Sequence, residues 1–147
     1  LRAYRYLPSV EISQLTVKKP IIELVYPLTK EYVQKISRIA QHTGKKDDSF
    51  LTFSTSTRDI AIVVSAEMQE RIEKIMGSKP KVMKKNLAAV SIRFDENLVL
   101  EPGVGFALMQ KIASKNIVLD EVVSTYNEFT LVFESQYVSR VLDALDH

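Results

Sequence analysis

The chain repeats itself. Counting 69 residues forward, Ile60, Ile62 and Val64 fall on Phe129, Leu131 and Phe133, and Thr55, Ser56 and Asp59 fall on Ser124, Thr125 and Glu128. Met68, Arg71, Ile72 and Ile75 fall on Tyr137, Arg140, Val141 and Ala144 at the same spacing. Such a repeat restricts the fold to two similar supersecondary units, and the 147 residues leave room for little else.

Each copy has the same order of elements. Ahead of the first, Val10 to Val17 alternates as a short strand, and Lys18-Lys19-Pro20 is expected to break it. Ile21 to Tyr26 is then a buried strand ending at Pro27. Thr29 is placed to cap a helix carrying Val33, Ile36, Ile39 and Ala40, with Glu31 in its first turn and Gly44 as its stop. Lys45 to Ser49 is a polar loop. Phe50 to Ser54 and Ile60 to Val64 are strands about the turn Thr57-Arg58-Asp59. Ser65 opens a second helix, ended by Gly77. Ser78 to Asn86, rich in lysine and proline, is either a linker or a charged edge, with a short closing strand expected at Lys81 to Lys84.

In the second copy, Leu87 to Phe94 is a strand and Asp95 to Glu101 a loop. Pro102-Gly103-Val104-Gly105 opens a helix with Leu108, Met109 and Ile112. Ile117 to Ser124 and Phe129 to Phe133 are strands about Tyr126-Asn127-Glu128, and Ser135 caps a last helix. The order β-α-β-β-α, closed by a further strand, predicts an α+β fold of two tandem ferredoxin-like βαββαβ units, with antiparallel sheets and helices on one face. The expected division is an N-terminal segment or extra strand at 1–18, a first unit at 19–85 and a second at 86–147.

Several chemistries are ruled out or unsupported. There is no cysteine, which excludes disulfides, zinc–thiolate sites, Fe–S clusters and thiol catalysis. The two histidines, His42 and His147, lie near a helix end and at the last residue, and no nucleophile elbow or phosphate-binding glycine motif occurs. Asp47-Asp48 reads as a solvated loop pair. No catalytic residue, metal site or cofactor is expected. The formal charge of +2 is too near neutral to argue for nucleic acid, and no aromatic residues interleave Lys79 to Lys85. No apolar run approaches the roughly 20 residues of a membrane span. The absence of cysteine leans towards a cytoplasmic protein. The start lacks both an initiator Met and an apolar signal core, so the chain is expected to be the C-terminal part of a longer one.

The most informative local feature is Glu101-Pro102-Gly103-Val104-Gly105, which holds two of the four glycines. Proline suits a helix start, and glycines let a ligand approach the N–H groups there, where an anion such as an amino-acid carboxylate is favoured. The same residues also suit a plain tight turn. Asn116, after that helix, fits a left-handed C-cap or a ligand hydrogen bond.

Val90-Ser91-Ile92, Glu101 to Gly105, Leu108, Lys115-Asn116-Ile117 and Val122 to Thr125 together resemble an ACT domain. The run Val122 to Phe133 is similar to uncharacterised tandem-ACT proteins of bacteria and archaea. The resemblance covers residues 87–146, while 20–77 matches in element order. It implies a non-catalytic regulatory or sensor module that binds a small effector, an amino acid first, at an ACT–ACT interface. It also implies a homodimer that modulates a partner enzyme or an attached segment. The implied ligand residues are Pro102, Gly103, Val104, Gly105, Asn116 and Ile117. Leu100 stands where serine-binding members carry Asn, so the resemblance implies a backbone-mediated carboxylate site. The first copy has Leu28-Thr29-Lys30-Glu31 at the corresponding turn, which predicts at most one such site per pair. The alternative is a degenerate pair serving only as a dimerisation scaffold.

Overall fold

The computed structural model describes residues 12–43, 50–94, 103–125 and 127–146. Its elements are β1 (Ile12–Pro27), α1 (Lys30–Thr43), β2 (Leu51–Thr55), β3 (Asp59–Ser65), α2 (Gln69–Met76), β4 (Val82–Phe94), α3 (Gly103–Ala113), β5 (Glu121–Ser124), β6 (Glu128–Glu134) and α4 (Val138–Asp146). The expectations for Val10, Gly44, the loops 45–49 and 95–101, Pro102 and Tyr126 fall outside the described residues. The fold is α+β, with strand order β2-β3-β1-β4-β6-β5.

Two compact units emerge. One is Lys18–Leu87, and the other joins the segment ending at Val17 to Ala88–His147. β1 and β4 therefore each change unit partway along. Within Lys18–Leu87, β1 lies between β3 and β4, and the Lys81 N–H donates to the Val25 carbonyl at 2.9 Å. Within the other unit, Ser13 Oγ donates to the Arg93 carbonyl at 3.1 Å, so the beginning of β1 lies along the end of β4. Each unit has the split βαββαβ connectivity. In the second, however, the closing strand is the beginning of β1 rather than a segment following α4.

The two predicted strands around Lys18-Lys19-Pro20 are one strand. Pro20 lacks an N–H, but the ladder with β3 begins only at Ile21, opposite Ser65. No β3 acceptor is left unmet at the proline, so the strand continues through it. Similarly, the segment from Ser78, expected as a linker or charged edge with a short strand at Lys81 to Lys84, enters β4 at Val82 and runs on to Phe94 without a break. Asn86 inside β4 has φ +59°. Before it, Met83 packs on the first core; after it, Ala88, Val90, Ile92 and Phe94 pack on the second. The inward positions switch from odd to even numbers, as an extra bulge residue in the left-handed region would make them do.

The helix starts also differ from expectation. Ser65 does not cap α2 with its side chain. A 3-10 turn, Ala66–Met68, comes first, and Ser65 Oγ accepts the Phe50 N–H at 3.1 Å. Another 3-10 turn, Ser135–Tyr137, precedes α4, with Glu134 at the cap position. Ile117 to Asp120 is not strand; β5 begins at Glu121. Ile117 is instead buried in the core, which explains its apolar character.

The repeat is visible in hydrogen bonds. β2 pairs with β3 antiparallel with Leu51 opposite Val64, and β5 with β6 with Glu121 opposite Val132, which is one register at a spacing of 69. Both turns close alike: Ser56 N–H to Asp59 O and Thr125 N–H to Glu128 O, each 2.9 Å. On the other side the spacing is 66. Leu28 N–H reaches Arg58 O at 2.7 Å, and Phe94 N–H reaches Asn127 O at 2.8 Å. Accordingly Ile22, Leu24 and Tyr26 fill one core, and Ala88, Val90 and Ile92 the other. No described helix is long and apolar enough to cross a membrane.

Candidate functional site

α3 begins at Gly103, so Gly103, Val104 and Gly105 form its first turn. The first-turn N–H groups of any helix lack intrahelical partners, which is the electrostatic basis for attracting a carboxylate. Asn116 lies past the other end of this helix. It has φ +57°, and its N–H bonds Ala113 O at 3.0 Å, beside Lys115 N–H to Ile112 O at 3.1 Å. That is a left-handed helix C-cap, a conformation asparagine tolerates better than most residues. A helix rises about 1.5 Å per residue, which puts Val104 and Asn116 of one unit roughly 18 Å apart. A single unit therefore does not bring these two groups to one small ligand. Ile117 is buried and contributes packing.

The corresponding turn of the first unit is capped by its own threonine. Thr29 caps α1: its Oγ1 accepts the Tyr32 N–H at 3.1 Å, and its carbonyl accepts the Val33 N–H at 2.9 Å. The cap takes up the Tyr32 N–H, while the Val33 N–H makes the ordinary helical bond.

Sequence reasoning missed a polar clasp in the first unit. The Tyr26 hydroxyl donates to Ser78 O at 2.8 Å, and the Tyr32 hydroxyl lies 2.7 Å from Ser78 Oγ. The two rings are 5.3 Å apart. Lys35 Nζ donates to Met76 O at 2.9 Å and to Glu31 Oε1 at 3.1 Å. It thereby compensates the carbonyl end of α2, which finishes at Gly77 with φ +78°. Burial, with a smaller push from Glu73, raises the Tyr26 phenol to about 12. The available signal was a tyrosine where strand alternation demands a core residue, since a buried hydroxyl needs a partner.

Charge is otherwise paired across strand ends. Lys81 meets Asp59, and Arg93 meets Glu128 at 3.1 Å, with Asp59 and Glu128 at matching positions of the repeat. Among the described residues no group of three or more His, Asp or Glu could hold a metal ion.

No protein-family model matches the chain, and no curated protein sequence matches it. Solved structures do. The ligand-free regulatory subunit of aspartate kinase from Thermus thermophilus matches with a TM-score of 0.72 at 13% identity, over 92% of this chain and 95% of that one. The aspartate kinase of Clostridium acetobutylicum matches with a TM-score of 0.71 at 12% identity, over 91% of this chain. This chain spans only 34% of that kinase's length. E. coli aspartokinase III in complex with lysine and aspartate matches with a TM-score of 0.64 at 9% identity, over 91% of this chain and 32% of that one. At these identities the likeness is one of fold alone.

Proposed function

We propose that this chain is a non-catalytic, cytoplasmic regulatory module that binds an amino acid and modulates a partner enzyme or an attached segment. One observation carries the reading: the fold matches a regulatory subunit of aspartate kinase over 95% of that subunit's length. The complex of aspartokinase III with lysine and aspartate supports an amino acid as the first effector to test.

The first turn of α3 would hold the effector's carboxylate on the N–H groups of Val104 and Gly105, with Pro102 setting the turn and Gly103 admitting close approach. The length of α3 means that Asn116 would come from a second copy, in a homodimer, with Ile117, buried in its own core, supporting that turn. The Thr29 cap, which takes up the Tyr32 N–H in the matching turn, supports at most one such site per chain. Ligand binding regulates only through a difference in affinity between two states of the assembly.

The test is a thermal-shift panel of the twenty amino acids and common nucleotides. A ligand at 100 times its dissociation constant should stabilise the fold by about 2.7 kcal/mol. A selective amino-acid hit that disappears in Gly103→Val, with the unliganded melting temperature kept, supports both function and site. A hit that survives Gly103→Val removes the site. A flat panel favours the scaffold reading, which the capped α1 turn also supports.

A further inference from the structure

The formal charge of +2 conceals two units of opposite sign. Residues 18–87 carry 14 lysines and arginines against 8 acidic residues, whereas 88–147 carry 4 against 9. The basic excess is concentrated at one edge of the first unit. There Lys79, Lys81, Lys84 and Lys85 lie on β4 or on the approach to it, and all four are exposed. Lys81 is held by Asp59, and Lys84 Nζ lies 3.8 Å from Glu23. Of the strands described, only β1 flanks β4 from Val82 to Asn86. β6 meets β4 where Thr130 faces Ser91 and Glu128 faces Arg93, and it ends at Glu134. An open edge leaves alternate N–H and C=O groups without a strand partner. Met83 packs on the first core. Strand alternation therefore turns Val82, 43% exposed, and Lys84 to the opposite face, and Lys85 to the helix face. Asn86, with φ +59°, ends the regular stretch.

We propose that the β4 edge at Val82–Lys85 binds an extended acidic segment of a partner protein, which adds to the sheet as a further strand. This rests on the regulatory reading above and gives the partner's chemistry. In such an addition main-chain bonds supply the attachment and alternate side chains supply the choice. Lysines on an edge ordinarily deter addition, and a second copy at the same residues would bring lysine against lysine. A carboxylate opposite Lys84 or Lys85 turns that repulsion into a cross-strand ion pair. Charge therefore selects among strands: acidic ones are admitted and basic ones refused. A β-branched residue opposite Val82 completes the match. The net positive charge of the unit favours the encounter. A nucleic-acid backbone would answer the lysines, but its phosphates offer no ladder of donors to the edge carbonyls. No aromatic residue lies between Lys79 and Lys85 for a base to stack on.

Amide spectra of the whole isotope-labelled chain, titrated with the capped peptide Thr-Glu-Glu-Thr-Val-Thr, test this. In antiparallel register its two glutamates face Lys85 and Lys84 and its valine faces Val82. The expected result is a set of shifts centred on Val82–Lys85, with slowed hydrogen exchange there. Binding should weaken with added salt. The same peptide with lysines for its glutamates should bind about tenfold more weakly. Lys85→Glu should weaken the acidic peptide and strengthen the lysine one, a gain that misfolding cannot produce. Lys30→Glu, an equal change of charge on α1, should leave both affinities unchanged. Unshifted Val82–Lys85 amides at millimolar acidic peptide, or equal affinity for the two peptides, overturn the proposal. So does a single-stranded oligonucleotide that shifts these amides at lower concentration than the acidic peptide, since the edge is then a phosphate surface. A selective amino-acid hit in the thermal-shift panel beside any of those results keeps the regulatory reading and removes this edge. Peptide binding beside a flat panel keeps the edge and removes the effector.

Discussion

The two repeats share a hairpin and differ in the helix ahead of it. β2–β3 and β5–β6 keep one register and one turn hydrogen bond at a spacing of 69. The first strands run three residues out of step with that spacing. The helices after them diverge further: α1 starts on a threonine cap and is clasped to α2 by Tyr32 and Lys35, while α3 starts on Gly103 and packs through Ala107, Leu108 and Ile112. Slipping a hairpin by one residue would turn its buried side chains to the opposite face, so copies cannot drift there. The strand-to-helix turn carries no such penalty. It is where the copies differ, with a threonine cap in one and a glycine in the other.

The most severe way to break the comparison is to cut the same hole in both cores. Ile62 and Leu131 are repeat partners, 0% and 2% exposed. Ile62→Ala and Leu131→Ala should each cost about 2–5 kcal/mol in urea unfolding. A loss below about 1 kcal/mol at one site would mean that only the other unit has a tightly packed core.

Alkaline titration separates the units next. Tyr26 has its repeat partner in Ile92, so only the first unit carries this phenol. Its folded value of about 12 lies above the ordinary 10, so folding favours the neutral form. The resulting stability is fully present below pH 10 and is lost as pH rises towards 12. The loss should be about 2 kcal/mol, and Tyr26→Phe should abolish that pH dependence. An unchanged dependence in the variant would assign it to other groups.

Asn86 sharpens the comparison at the point where β4 changes unit. Asn86→Val should cost about 1–3 kcal/mol, since a β-branched residue resists positive φ, whereas Asn86→Gly should be near neutral. Equal effects from the two would remove the bulge argument. The smallest expected effect is at the clasp: Lys35→Met should lower the melting free energy by about 0.5–1 kcal/mol, through the lost charge at the end of α2. No change would leave the two tyrosines as the whole clasp.

How far the sequence could be read depended on how local the cause was. Thr29 and Gly77 signal helix ends through their own side chains or lack of one, and both lie where expected. The hairpin followed from alternating residues that repeat. Pro20 misled because its effect depends on whether β3 lies alongside, which is not a local property. Ser65 and Ile117 misled similarly: a strand end took the serine hydroxyl, and a buried loop residue looked like strand. Gly103 at the start of α3 and Asn116 as a left-handed cap were legible from residue type. The distance along α3 that separates them is geometry, and no composition reports it.

Strand sharing also sets an order on how the protein can be made. Lys18–Leu87 is contiguous, so it can close as soon as its last residue clears the ribosome. Residues 12–17 are synthesised earlier still, yet their place is beside residues 88–94, which arrive after that unit is complete. A β-prone stretch must therefore wait, unpaired, through the synthesis of a whole unit. The polar residues Ser13, Gln14 and Thr16 between its apolar ones keep it soluble during that interval. Deleting this stretch would leave the first unit intact and deprive the last-made unit of its outer strand.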